Sequence, residues 1–270
     1  MSEFKMPNRE QNSNKGTFGK VLNFAGSKNY IGAAYLSSAA VLKSGAGYVA
    51  LCTEKNIISA VSKLLPEAVF LSRNEGLNNI NNFNVVLLGC GLGQTINSER
   101  LFKEVVNRAV KFNKDLLIDA DGLNILAKNN IRLPQNTVIT PHPAEAARLL
   151  GVEVNDVLGN LENSAKKLSE KYNCVTVLKT HRTIVCNSEG NIYKNEHGNS
   201  ALAKAGTGDV LAGIISALIA QKMECFEAAK LGVYLHSRAG EIASGELTEY
   251  SVLASELIKY LPTAIKEIIR

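Results

Sequence analysis

The sequence predicts an α/β protein with a mostly parallel central sheet covered by helices on both faces. Three observations predict it. Short apolar runs such as "VLNF", "YVALCT", "VVLL" and "VTVL" recur along the chain, and they are too continuously apolar for a sheet with one wet face. Segments of helical period separate them. Clusters of glycine, proline, asparagine and aspartate mark most of the junctions.

The elements follow in order. The first fourteen residues read as a loose tail or a surface-packed lead-in. "VLNFAGS", Val21 to Ser27, is a buried strand ending in a glycine turn. "GAAYLSSAAVLKSGAG" is a small-residue helix stopped by Gly45 and Gly47. "YVALCT" is the next strand, and "IISAVSKLL" is a helix ended by Pro66. "EAVFLS" and "VVLLG" add two strands around a polar, asparagine-rich segment between Asn74 and Asn84. "RLFKEVVNRAVKF" is helical, "LLIDAD" a strand ending in acids, and "GLNILAK" a short helix. "TVITPHPAEAARLL" runs from strand through a proline-stiffened loop into a helix. "NSAKKLSEKYN" leads to the strand "VTVLKT", after which "TIVCN" and "NIYKN" form an adjoining strand pair around a Glu-Gly turn. "DVLAGIISALIAQ", "ECFEAAKLGVYLHSRAGEIAS" and "SVLASELIKYLP" are helices. No repeat, linker or change of composition asks for a second domain. Residues 15–270 therefore read as one domain behind a 1–14 tail.

Composition narrows the function classes. At 270 residues and 46% apolar content the chain can bury a large core, which argues against disorder. The net charge of +5 comes from scattered lysines and arginines without aromatic interleaving, so nucleic acid is not the expected partner. Cys52, Cys90, Cys174, Cys186 and Cys225 are widely spaced, with no CxxC pair, which favours free thiols in a reducing compartment. The N-terminal segment has no apolar core of a signal peptide, and no apolar run is long enough to span a membrane. A cytoplasmic protein is expected.

In a doubly covered parallel sheet, ligands gather at the C-terminal ends of the strands. "NFAGSKNYIGAA", "LLGCGLGQT", "IDADGLN" and "ITPHPAE" fall there, and "AGTGD" opens a helix of its own. The last is the sharpest signal. Gly206 and Gly208 permit close backbone approach, Thr207 adds a hydroxyl, and the free N–H groups of a helix start can hold a phosphate oxygen. Asp209 at that start could be a simple cap. It could equally take a proton from a hydroxyl that attacks a phosphoryl group. Neither a GxxxxGK[ST] loop nor a strand-linked GxGxxG fingerprint occurs, which argues against a P-loop NTPase and a dehydrogenase.

Other polar residues have two readings each. Asp119 and Asp121 could close a strand and cap a helix, or line a substrate cleft with Asn124. His142, between Pro141 and Pro143, is a loop surface residue or a ligand contact. "KTHRT", Lys179 to Thr183, is a basic turn or a phosphate-neutralising loop. The four histidines are not clustered as metal ligands, and His236 reads as a packed or capping side chain within its helix.

Together "KGTFGKVLNFAGS", "GCGLG", "DADGLN", "TPHPAEAARLL", "GNSALAKAGTGDVLAGII" and "VYLHSRAG" resemble the ADP-dependent NAD(P)H-hydrate dehydratases. The resemblance runs from Lys15 to about Gly240. It implies a ribokinase-like three-layer α/β/α sandwich and an ADP-driven dehydration of (S)-NADHX and (S)-NADPHX that releases AMP and phosphate. It implies Mg²⁺ as cofactor, with metal ligands left unassigned, and Asp209 as catalytic base. By the same resemblance Ala34, Gly91, Gly93, Asp119, Asn124, His142 and Asp209 contact the substrate. Lys179, Thr180, His181, Arg182, Thr183, Thr207 and Gly208 bind the nucleotide, and Gly206, Thr207 and Gly208 form an anion hole. It further implies a homotetramer and cooperation with a separate NAD(P)H-hydrate epimerase, a domain often fused ahead of such chains and not expected here. The departures are Cys90 where the family usually has proline, Thr180 where it has glycine, and Ala205 in place of glycine. Two other functions fit the residues less well: an ATP-dependent kinase of a small vitamin-precursor alcohol, and a non-catalytic nucleotide-binding protein.

Overall fold

The computed structural model describes residues 4–129 and 131–269. Its strands are β1 (Lys20–Phe24), β2 (Tyr48–Thr53), β3 (Val69–Ser72), β4 (Val85–Leu88), β5 (Asp115–Ile118), β6 (Thr137–Ile139), β7 (Val175–Leu178), β8 (Ile184–Cys186) and β9 (Ile192–Lys194). They form one sheet in the order β3-β2-β1-β4-β5-β6-β7-β8-β9. The pairs from β3 to β7 are parallel, and β8 and β9 pair antiparallel at the edge. The winding direction reverses between β1 and β4, which opens a crevice at the C-terminal ends of the strands.

One face carries α1 (Ile31–Lys43), α2 (Lys55–Val61), α9 (Thr207–Ala220), α10 (Cys225–Leu247) and α11 (Ala254–Ile269). The other carries α3 (Arg73–Asn79), α4 (Ile96–Lys111), α5 (Asp121–Ala127), α6 (Pro143–Leu150), α7 (Val154–Gly159) and α8 (Leu161–Tyr172). The expected three-layer α/β/α sandwich is present. Side chains alternate along each strand. Val21, Leu51, Leu87 and Val177 enter the first core, while Leu22, Cys52, Leu88 and Leu178 enter the second. Each run is mostly apolar because both faces are covered, with Asn23, Thr53 and Thr176 as buried polar exceptions. Truncating the fully buried Phe102 to alanine would cost about 3–5 kcal/mol.

Several elements differ from the sequence reading. The asparagine-rich segment contains α3, started by a reciprocal cap in which Glu75 N donates to Ser72 Oγ and Ser72 N donates to Glu75 Oε2. A similar box of Glu153 and Asp156 starts α7, a helix the periodicity does not reveal. The helix on "IISAVSKLL" stops at Val61, before Pro66 is reached. α11 continues through Pro262 to Ile269. The lead-in is packed rather than loose: Phe4 is buried against Tyr234 and Tyr193, and Arg9 lies 3.7 Å over the Phe18 ring. Residues 1–3 of the expected tail lie outside the described residues. The five cysteines are free and buried. Among the described residues, no helix is long and apolar enough to cross a membrane.

Candidate active site

Four strand ends and one helix start build the site. Asp119 follows β5 directly and is buried. Its Oδ1 accepts from Lys179 Nζ at 2.7 Å and from Thr140 Oγ1 at 2.7 Å, groups that follow β7 and β6. Its Oδ2 lies 3.9 Å from Cys90 Sγ, after β4. The close approach of these loops needs Gly89, whose φ is +124° and whose side chain, if it had one, would overlap the Asp119 carbonyl. Asp119, Ala120, Asp121 and Gly122 make a tight turn closed by Gly122 N donating to Asp119 O at 3.0 Å. Ala120 occupies φ 51°, ψ −119° in it, a conformation suited to glycine. That strain turns the two acids apart. Asp121 leaves the centre to accept from Gly93 N at 2.8 Å and from Gln94 Nε2 at 3.1 Å.

Asp209 enters from the opposite side, in the first turn of α9. Gly206 caps this helix at φ +91°, where a Cβ would press on Leu36 at 2.6 Å. A helix start leaves its first amides without intrahelical acceptors, so Gly208 and Asp209 present N–H groups beside Lys179 and Asp119. Thr207 also supports the turn that precedes it. Its hydroxyl lies 2.8 and 2.9 Å from the carbonyls of Leu202 and Lys204, and its N–H points back to Lys204 O, so it braces the turn. Its carbonyl is held in turn by His236 Nε2 at 2.9 Å.

Burial, with the Asp119 charge added, pushes the Asp209 carboxyl up to about 7. The same burial, reinforced by Asp209 and Asp119, raises the Cys90 thiol far enough to keep it protonated. Lys179 loses by burial but gains more from Asp119 and Glu145, and so stays charged. His142 is displaced downward by burial and by the Lys179 and Arg148 charges. Burial pushes Glu145 up to about 7. Glu145 stands in the quoted "TPHPAE" but sequence reasoning gave it no role. In the structure its Oε2 accepts from His142 N at 2.8 Å and sits 3.8 Å from Lys179 Nζ, while His142 Nδ1 caps α6 through Ala144 N and Glu145 N. Thr140 was missed in the same way.

A cavity of about 500 Å³ opens beside this centre. His142, Lys179, Thr180, His181, Thr183, Thr207 and Gly208 line it, as do His197, Asn199 and the apolar Leu202, Leu211 and Val233. Arg182 is not among the lining residues, because its guanidinium turns to the Glu196 carbonyl at the outer edge. Ala34 is fully buried under Gly26 and shapes that loop from below rather than lining the cleft. Gly91 packs against Tyr30 and Ala33. Asn124 accepts from Arg148 at 2.9 Å, next to a second cavity of about 470 Å³. The structure thus gathers Asp119, His142, Lys179, Gly208 and Asp209, and sets Gly93, Asp121 and Asn124 to one side.

A family model described as NAD(P)H-hydrate dehydratase matches residues 21–263. The chain belongs to this family. A dehydratase-family relative from Neisseria meningitidis, the ADP-dependent (S)-NAD(P)H-hydrate dehydratase, is 37% identical over 87% of this chain and 80% of its own length. The bifunctional NAD(P)H-hydrate repair enzyme Nnr of Thermofilum pendens is 34% identical over 97% of this chain and 52% of its own. The chain therefore spans about half the length of such bifunctional relatives. The crystal structure of the ADP/ATP-dependent NAD(P)H-hydrate dehydratase of Bacillus subtilis, co-crystallized with ATP/Mg²⁺, superposes with a TM-score of 0.87 at 31% identity, covering 97% of this chain and 94% of that one. Hydroxyethylthiazole kinase from Pyrococcus horikoshii shares the fold, with a TM-score of 0.67 at 16% identity over 95% of this chain and 92% of that one.

Proposed function

We propose that this chain restores NADH and NADPH from their (S)-hydrates, NADHX and NADPHX, using ADP as phosphoryl donor and releasing AMP and phosphate. The observation that carries the reading is the placement of Asp209. Its carboxyl, pushed up to about 7, stands on the first turn of α9 beside free helix amides and Lys179, next to Gly208 in the wall of a largely apolar cavity. Asp209 takes the proton of the hydrate hydroxyl, whose oxygen forms a bond to the β-phosphorus of ADP while the bond to the bridging oxygen breaks and AMP leaves. The phosphate ester then loses its C–O bond, phosphate departs with the bonding electron pair, the neighbouring ring carbon gives up a proton to solvent, and the ring double bond is restored. The amides of Gly208 and Asp209 hold a phosphoryl oxygen, and Lys179 keeps donors free for the same charge after its bond to Asp119.

Asp119 and Asp209 offer hard oxygen donors, and with Cys90 their ligand atoms lie within 4.8 Å of one another. The carboxylates fit a magnesium ion that takes its other ligands from water and a diphosphate, whereas the protonated thiol does not. Magnesium bound there would supply neutralisation of diphosphate charge. A homotetramer in the cytoplasm and a separate epimerase acting on the same hydrates complete the reading.

The test is a repair assay. Hydrated NADH is incubated with the protein and either ADP or ATP, and the return of the reduced nicotinamide absorbance is followed together with AMP release. Recovery with ADP supports the proposal. A stable phosphoester formed from ATP would point to the kinase alternative, and tight ADP binding without any turnover to a non-catalytic binder.

A further inference from the structure

The second cavity shares no lining residue with the first, and no role has been given to it. Gln94, Asn124, Ala127, Lys128 and Arg148 line its volume of about 470 Å³. Two cations face it and no carboxylate does. Arg148 projects from α6 and is fixed by NH1 donating to Asn124 Oδ1 at 2.9 Å. Lys128, just past the end of α5, reaches Gln94 Oε1 at 3.4 Å. Among the described residues neither cation takes part in a salt bridge. The nearest acid along this chain of contacts, Asp121, is already occupied by Gly93 N and Gln94 Nε2. An amide frame of Gln94 and Asn124 thus holds two positive groups that form no salt bridge among the described residues, with the Glu145 carboxyl the one acid there whose charge Arg148 reaches from α6.

The helices that line it also start at the centre. Asn124 lies on α5, whose first residue is Asp121, two positions from Asp119. Arg148 lies on α6, whose start carries His142 and Glu145, and its charge contributes to the downward displacement of His142. A ligand reacting at Asp209 and longer than the centre itself can therefore extend along α5 and α6 to both cations. A dinucleotide is such a ligand, and the parts of it remote from the reacting ring are phosphates. Planar guanidinium and a flexible ammonium are the groups that recognise phosphate oxygens.

We infer that Arg148 and Lys128, framed by Gln94 and Asn124, form a phosphate subsite that holds the distal end of the dinucleotide substrate and sets its preference for the hydrate bearing the extra ribose phosphate. The inference rests on the proposed dehydratase reading for the identity of the ligand. It assigns the two cations to binding and leaves the chemistry at Asp209.

The experiment compares wild type with Arg148→Gln, Lys128→Gln and the double variant. Calorimetric titration with hydrated NADPH and with hydrated NADH, in the absence of ADP so that nothing turns over, reads binding alone. Parallel turnover with ADP reads the proposed function. Each single substitution is expected to weaken hydrated NADPH binding by about tenfold and the double variant by more, with the loss appearing in KM. If hydrated NADH binding changes little, the group held is the extra phosphate. If both ligands weaken equally, the subsite holds the bridging diphosphate instead and the specificity part of the inference fails. Unchanged binding of both ligands overturns the subsite, as does a loss confined to kcat. Wild type that binds the hydrates but does not turn them over would overturn the dehydratase reading while leaving the subsite standing. Both side chains are exposed, so an unchanged Tm is the check that the variants fold.

Discussion

Lys179 Nζ sits 2.7 Å from Asp119 Oδ1, and this pairing leaves Asp209 as the carboxylate of the centre without a cation in direct contact among the described residues. The division of labour between the two acids follows. Asp119 is held in one place, while Asp209 keeps a proton affinity high enough to accept and release a proton near neutrality.

Replacing Asp209 with asparagine is expected to lower turnover by about 10³-fold while ADP binding survives, because general-base contributions run to about 10²–10⁴. In wild type, kcat/KM is expected to fall as pH drops through about 7, the pKa of that carboxyl. Stability has the opposite slope. Between about 4 and 7 the native carboxyl holds a proton that the unfolded chain has released, so this group makes the fold less stable as pH rises across that window. Thermal melts at pH 5 and pH 8 check this: Asp209→Asn gains more over wild type at pH 8.

Lys179→Met strands a buried carboxylate. The expected cost is about 3 kcal/mol, since removing one partner of a buried pair leaves the other uncompensated. Urea unfolding of Lys179→Met against the double variant Lys179→Met, Asp119→Asn measures the coupling. The double variant should recover part of the loss.

The two glycines around α9 are expected to respond differently to alanine. Gly206→Ala needs a positive φ and presses its Cβ on Leu36, so it should lose about 2 kcal/mol in denaturant melts. At Gly208 a Cβ would meet Lys179 Nζ at 3.5 Å and Asp119 Oδ2 at 3.8 Å, which are ordinary contacts. Gly208→Ala should therefore fold normally yet raise KM for ADP by narrowing the phosphate position. Equal loss of stability in both variants would contradict this account.

Ala120 provides a test of stored strain. Replacement by glycine relieves its φ of 51° and is expected to stabilise the protein by about 1 kcal/mol, read from the urea midpoint. Turnover should fall several-fold, because the acids on either side of the turn lose their fixed separation. A variant both less stable and fully active would show that the turn carries no useful strain.

His236 contributes through its neutral form. Burial lowers its pKa to about 4 against the ordinary 6.5, while its Nε2 meets Thr207 O. Between those two values the unfolded chain binds the extra proton, so stability is expected to decline as pH falls from about 6.5 to 4. His236→Gln should flatten that part of the melting profile.

Much of this was legible in the sequence for a physical reason. Strands buried on both faces are mostly apolar along their whole length, so β1, β2, β4 and β7 announce themselves. "GTGD" is readable because a helix start needing a left-handed cap leaves glycine in the chain. What escaped was set by local side-chain bonds or by distance. "RNEGLNN" has poor helix propensity and folds as α3 because Ser72 and Glu75 cap it, a pattern present at the right spacing but unmarked by apolar period. Glu145 and Thr140 acquire their roles from Lys179 and Asp119, which other strands bring to them. Arg182 shows the converse, since its place in the "KTHRT" loop does not fix which way its side chain turns.

Phe4 stacks on Tyr234 with ring centroids 4.8 Å apart, and Tyr234 meets the His197 ring edge-on at 5.0 Å. His197 is in the wall of the first cavity. The segment matched by the family begins seventeen positions later, at residue 21. A protein trimmed to that segment would retain every recognisable motif from "VLNFAGS" onward and still lose the aromatic prop behind the wall of its first cavity. Homology boundaries and mechanical boundaries therefore do not coincide in this molecule: the stiffness of one cavity wall is supplied by residues outside the matched segment.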